Sequence, residues 1–248
     1  MKISILGSGT STGIPQIGCG CKVCTSSDPK DNRLRASIMI EVNDRKLLVD
    51  CGPDLRQQLI NHRVTHLDGI LITHEHFDHI GGLDDVRPLG ETNIYGEDAV
   101  LDVIKRNMPY SFVENKYPGV PVIHTHPIGT DPFYIKDIEI TPVRIMHAQL
   151  PILGFRIGNF AYLTDVKTID KQEVDKLKGL DLLIINALRI REHHSHLSLS
   201  ESLELTHKIG AKATWFTHMS HDMGLHDEIE KTLPENIHLA YDGLVLHC

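Results

Sequence analysis

The segment Thr73-His74-Glu75-His76-Phe77-Asp78-His79 sets three imidazoles and a carboxylate within six residues. In extended backbone, residues i and i+2 face the same way, so His74 and His76 converge on one cation. If the chain turns into a helix at Asp78, that carboxylate and His79 point back beside the first pair. Four such groups then hold two ions instead of one; with no cation they would stand repelling or unsatisfied. Histidine is the commonest metal ligand, and 17 of the 248 residues are histidine.

Two ions need further ligands, and in sheet-based enzymes these gather beyond the carboxyl ends of strands. The apolar run 69–72 leads into the cluster. A strand over 137–145 delivers His147, one over 160–163 delivers Asp165, and one over 213–216 delivers His218. This gives His74, His76 and His147 to one ion, Asp78, His79 and His218 to the other, and Asp165 as the bridge. Imidazole and carboxylate suit zinc or manganese. Two such ions about 3.5–4 Å apart clamp the attacking and departing oxygens of a hydrolysis at phosphorus or at an acyl group.

The rest of the chain supplies a frame for these strand ends. Strands are expected at 2–6, 37–42, 46–49, 152–157, 181–185 and 243–246, with a hairpin turn at Asn43-Asp44-Arg45. Helices are expected over 54–60 and 98–108. A third begins at Ser198, whose capping box closes with Glu201; Leu199, Leu203 and Ile209 follow its period and Gly210 stops it. Strands, interleaved helices and strands again predict an α/β (α+β) fold, two sheets between helices, in a single domain over 1–248.

Composition excludes several classes. No apolar run approaches the roughly 20 residues of a membrane span. The start, MKISILGSGTSTG, is too short in apolar residues for a secretory signal, so a cytoplasmic address is expected. A net charge of −8 argues against a nucleic-acid surface, tRNA included.

The H-x-H-x-D-H cluster, the later His147, Asp165 and His218, and Asp50 after Leu47-Leu48-Val49 together resemble the metallo-β-lactamase superfamily. The resemblance covers essentially the whole chain and implies an αββα sandwich with a dinuclear site at one edge. By the same analogy Asp50 orients ligand histidines, although a strand-end turn residue reads the same way in sequence. His76 stands where oxygen-reducing members carry Glu, which favours hydrolysis. His194-Ser195-His196-Leu197-Ser198 resembles the ribonuclease Z and phosphodiesterase branch, in which a histidine before such a helix protonates the leaving oxygen. Two alignments are open, to His196 and to His194, and a solvated histidine-rich loop is the plain alternative. Asp78 counts among the catalytic residues as well as the ligands.

Five cysteines are present, three of them at Cys19, Cys21 and Cys24. Three thiolates want a fourth ligand for tetrahedral structural zinc, and Thr217-His218-Met219-Ser220-His221 offers His221. This combination resembles the phosphoribosyl cyclic phosphate phosphodiesterases of the carbon–phosphorus lyase pathway. It implies a structural zinc on Cys19, Cys21, Cys24 and His221 besides two active-site ions. Cys51 reads as a buried small residue and Cys248 as a frayed end. The Gly7-Ser8-Gly9-Thr10 turn is either a phosphate cradle or a tight turn, and Arg189 and Arg191 either bind phosphate or form a solvated rim.

The expected function is therefore metal-dependent hydrolysis of a small, cyclic phosphodiester. Rival readings are a ribonuclease Z-type nuclease, a lactonase-like hydrolase, and a non-catalytic scaffold or biosynthetic member of the same fold. The last should have lost ligands, and none is missing. The expected partner is the small-molecule substrate, with no membrane; a homodimer stays open.

Overall fold

The computed structural model describes residues 1–115 and 117–248. Its strands are β1 Lys2–Gly7, β2 Ser37–Val42, β3 Arg45–Val49, β4 Gly69–Leu71, β5 Glu91–Gly96, β6 Val122–Pro127, β7 Phe133–Ile135, β8 Ile138–His147, β9 Leu150–Ile157, β10 Phe160–Leu163, β11 Leu182–Asn186, β12 Ala213–Thr217, β13 Ile237–Leu239 and β14 Val245–His247. Helices are α1 Leu55–Asn61, α2 Phe77–Ile80, α3 Asp98–Asn107, α4 Lys171–Asp175, α5 Leu199–Ile209 and α6 His226–Glu230.

Two seven-stranded sheets form, in the orders β14-β1-β2-β3-β4-β5-β6 and β13-β12-β11-β10-β9-β8-β7. Each is antiparallel in one half and parallel in the other: β3 to β6 run together, as do β10 to β13. β8 runs with β10 because β9 is antiparallel to both. Every ligand-bearing strand of a sheet therefore ends at the same edge.

Strand alternation sorts the core into layers. Leu47 and Val49 face inward with Ile3, Ile38 and Leu71, against Phe155, Tyr162 and Ile184 of the second sheet. Leu48, one residue out of phase, faces α1 and α3 with Ile70 and Ile94. Leu163, Leu183 and Phe216 pack in one cluster with Leu205 and Ile209 of α5. The result is the αββα sandwich.

Most expected elements recur with ends shifted by a residue or two. β5, β6, β7 and β13 were not anticipated. The capping box of α5 forms, Ser198 and Glu201 bonding reciprocally, and Gly210 takes φ 73° at its end. Its buried face is Ser202, Leu205, Thr206 and Ile209, with Leu199 and Leu203 only partly covered. Ser202 tolerates burial because its hydroxyl donates to Asn186 O at 2.8 Å. Cys51 is buried as expected. Cys248, exposed, is not frayed at the backbone, since its N–H donates to Met1 O at 3.1 Å.

Candidate metal centre

Five strand ends build the site. β3 runs into Asp50, and β4 runs into an extended stretch through His74 and His76 that turns at Phe77 into α2. His147 closes β8, Asp165 lies just past β10, and His218 directly follows β12. Asp50, Asp165 and His218 adopt φ of 63°, 57° and 57°, and Ala148, next to His147, 53°. Left-handed backbone costs a non-glycine residue of order 1–3 kcal/mol and concentrates at functional sites. Here it turns each chain sharply enough to aim the side chain along the sheet edge.

His74 Nε2 lies 3.0 Å from His76 Nδ1, and both group with His147. His79 Nε2 is 3.1 Å from Asp78 Oδ2, and His218 Nε2 is 3.6 Å from the same oxygen. Asp165 reaches His79 Nε2 through Oδ2 and His218 Nε2 through Oδ1, each at 3.3 Å. It also groups with His74 and, separately, with His147 and His196. Its carboxylate thus touches both expected ion positions.

Buried donors and acceptors fix which nitrogens point inward. Asp50 is fully buried; it accepts from Thr73 N at 2.9 Å, from Thr73 Oγ1 at 2.8 Å and from His79 Nδ1 at 2.7 Å. With its one proton given to Asp50, Thr73 Oγ1 can only accept from His74 Nδ1, 3.0 Å away. His147 Nδ1 donates to Ser195 O at 2.8 Å. Each of these imidazoles is left with a bare Nε2 lone pair. His79 aims that lone pair at two carboxylate oxygens, and His79 Nε2 and both ring nitrogens of His218 are buried without a hydrogen-bond partner. Lone pairs facing lone pairs and carboxylates repel; a divalent cation reverses the sign of every one of these contacts. The residues fit a metal.

Charge follows the same logic. Burial holds His74 well below the ordinary imidazole range and lowers His147 too, so both favour the neutral form that ligates. Burial alone would raise Asp165 and Asp78. Both are nevertheless held below the usual carboxylate range when the neighbouring imidazoles carry positive charge, a charge that a bound divalent cation would supply instead.

The cysteine loop meets His221 as expected. Cys19, Cys21 and Cys24 Sγ lie 3.2, 3.4 and 3.5 Å from His221 Nδ1. Bonds of about 2.3 Å to sulfur and 2.0 Å to nitrogen at tetrahedral angles give ligand separations of about 3.5 Å. The four atoms therefore fit one zinc, which would tie the N-terminal loop to the segment just after His218.

The two alignments of the histidine loop separate in space. His196 is buried, its Nδ1 3.5 Å from Asp165 Oδ1 and its ring 4.5 Å from that of His147. Burial pushes its imidazole down to about 3. His194 is exposed, its ring tilted against that of His193. The Gly7–Thr10 turn is no phosphate cradle: Ser8 N donates to Asp242, Gly9 N to Leu34 O and Thr10 N to Met219 O. Arg189 is committed to Arg191 O and Glu192 O of its own loop, while Arg191 is exposed.

Two residues of the site escaped the sequence reading. Thr73 links Asp50 to His74, and only the flanking position of Thr in T-H-x-H hinted at it. Gly52 backs onto α2, where an added Cβ would lie 2.0 Å from Asp78 O. Beside it Cys51 N donates to His79 O at 2.7 Å and Cys51 O accepts from Gly82 N at 2.9 Å.

The family model described as the β-lactamase superfamily domain matches residues 45–219, from β3 to just past His218. The chain belongs to the metallo-β-lactamase superfamily. The crystal structure of a diphosphatase of the PhnP family is 38% identical, with a TM-score of 0.93 over 100% of this chain and 97% of that one. Zinc-bound PqqB from Methylobacterium extorquens shares the fold at 19% identity, with a TM-score of 0.83 over 100% of each chain. An octanoyltransferase from Porphyromonas gingivalis is 45% identical over 98% of this chain and 51% of its own length. The chain spans about half the length of the curated relatives it matches. Among the described residues no helix is long and apolar enough to cross a membrane.

Proposed function

We propose that this protein hydrolyses a small phosphodiester, cyclic in the manner of a phosphoribosyl cyclic phosphate, with two divalent ions on His74, His76, Asp78, His79, His147, Asp165 and His218 and one structural zinc on Cys19, Cys21, Cys24 and His221. The observation that carries the reading is His196, buried among the ligands with Nδ1 free of any hydrogen bond and 3.5 Å from Asp165. An alkoxide is a poor leaving group, so cleaving an alkyl diester calls for a proton donor beside the ions. Two divalent cations on this ligand set supply Lewis acidity to a phosphoryl oxygen and acidify water enough for attack at neutral pH. Asp50, Thr73 and Ser195 O hold three of the imidazoles in register. His196 is neutral in the free protein, and the negative charge of a phosphate beside it favours its protonated form. The likeness to a PhnP-family diphosphatase supports chemistry at phosphorus. The octanoyltransferase name belongs to a protein about twice as long.

The test is a panel of phosphodiesters, phosphomonoesters and lactones, offered to zinc- or manganese-loaded protein and to two variants. His196→Ala should lose roughly 10²–10⁴ in rate on a cyclic or alkyl diester. It should lose far less on bis(p-nitrophenyl) phosphate, whose leaving group departs as a stable anion, and metal content should be unchanged. His194→Ala should behave as wild type. Equal losses on both substrate types would reject the proton-donor role, and preferential turnover of lactones would reject phosphodiester hydrolysis.

A further inference from the structure

Phe77 stands between two proposed ligands, His76 and Asp78, and is 69% exposed. The ligand spacing makes no demand on residue 77, and an exposed phenyl ring keeps apolar surface in water at a cost. One edge of the ring lies against Gly81: a Cβ added there would lie 2.8 Å from Phe77 Cζ and 2.9 Å from Cε1. Gly81 is thus a flat bed under one side of the ring, and the remainder is open. Around the same helix, Phe77, Ile80 and Gly81 share one flank while Asp78 and His79 point to the metal centre. On that flank lies a cavity of about 370 Å³, lined by Phe77, Ile80, Leu83, Ile104, Met108 and Tyr110, of a size ordinary for small-molecule sites.

The wall also carries Asn107 and Asp84. The Asp84 carboxylate is taken up by Arg87 and by Tyr110 Oη, 2.7 Å away. Among the described residues, no free cation lines this cavity. It offers an aromatic face, an apolar wall and an amide with both donor and acceptor atoms.

We propose that Phe77 and this cavity form a subsite for a planar aromatic group, a nucleobase, carried by the phosphate ester whose phosphorus lies at the ions. This rests on the phosphodiesterase reading and, within it, favours diesters that carry a nucleoside over base-free phosphoribosyl ones. Stacking is tolerant of base identity and its loss on truncation to alanine costs about 1–3 kcal/mol, or about 5- to 150-fold in affinity.

The test uses metal-loaded protein and two ligands it should not turn over, adenosine 5′-monophosphate and ribose 5-phosphate, in calorimetric titrations. Wild type should bind the nucleotide about 5- to 150-fold more tightly than the sugar phosphate. Phe77→Ala should erase that preference and leave ribose 5-phosphate binding unchanged, and Phe77→Trp should retain it. Equal affinities for the two ligands in wild type, or a preference surviving in Phe77→Ala, would overturn the subsite. Failure of the phosphodiesterase reading is scored separately, by absence of diester turnover in wild type.

Discussion

Replacing Asp50 with Asn changes little in volume and much in hydrogen bonding. The carboxylate accepts from Thr73 N, Thr73 Oγ1 and His79 Nδ1, all donors, at 2.7–2.9 Å for the closest contacts. An amide has one oxygen. Turned towards His79, its oxygen keeps His79 Nδ1 and the Thr73 hydroxyl, which share Oδ2, but its NH₂ meets Thr73 N–H head-on and pushes away the residue whose hydroxyl orients His74. Turned towards Thr73, it sets the NH₂ against His79 Nδ1–H and drives that proton to Nε2, the nitrogen meant for the metal. Loss of such an outer partner typically costs 10–100-fold in metal affinity, about 1.4–2.7 kcal/mol. Because His74 and His79 are proposed to serve different ions, both sites should weaken in Asp50→Asn, whereas Thr73→Val should weaken chiefly the His74 site. Chelator competition resolves the two stepwise affinities, and far-UV circular dichroism checks that the fold persists. Affinities within twofold of wild type in a folded Asp50→Asn protein would refute the anchoring role, and loss at the His79 ion alone would refute the Thr73 relay.

Cys21→Ser should release one ion that resists mild chelation and lower the thermal midpoint, since structural zinc contributes folding free energy; unchanged metal content and midpoint would remove the structural zinc. Gly52→Ala must push α2 away from a Cβ that would sit 2.0 Å from Asp78 O, and a displacement of about 1 Å at the reacting groups costs roughly 10²-fold in rate. Gly129→Ala, with nothing within 4 Å of the added atom, is the matched control, and full activity in Gly52→Ala would sink the argument.

The residues that converge at the candidate site were legible because their chemistry is local. His74, His76, Asp78 and His79 declare themselves by spacing, and His147, Asp165 and His218 each end an apolar run long enough to read as a strand. What went unread depends on neighbours far along the chain. β5 and β6, with Thr92, Asn93, His124 and Thr125, carry too many polar side chains to announce strands, and the pairing of β5 with β4 and of β6 with β5 decides them. Thr73 matters only because Asp50, 23 residues earlier, folds against it. Ser202 and Thr206 look like a solvated helix face until Asn186 O is found waiting for the Ser202 hydroxyl. The choice between His196 and His194 turns on which way one loop packs, and no spacing rule encodes that.

The pairing of β14 with β1 sets Lys2 opposite His247, so both termini emerge at one corner. From there β1 runs its six residues towards the turn at Ser8 that bonds Met219, next to His218. At about 3.3 Å per residue, the corner is roughly 20 Å from the ligands. A polypeptide spliced to either end therefore leaves from the base of the sandwich, facing away from the catalytic edge. The two ends could therefore be joined and the chain reopened in a surface loop without disturbing the edge that carries the candidate metal centre.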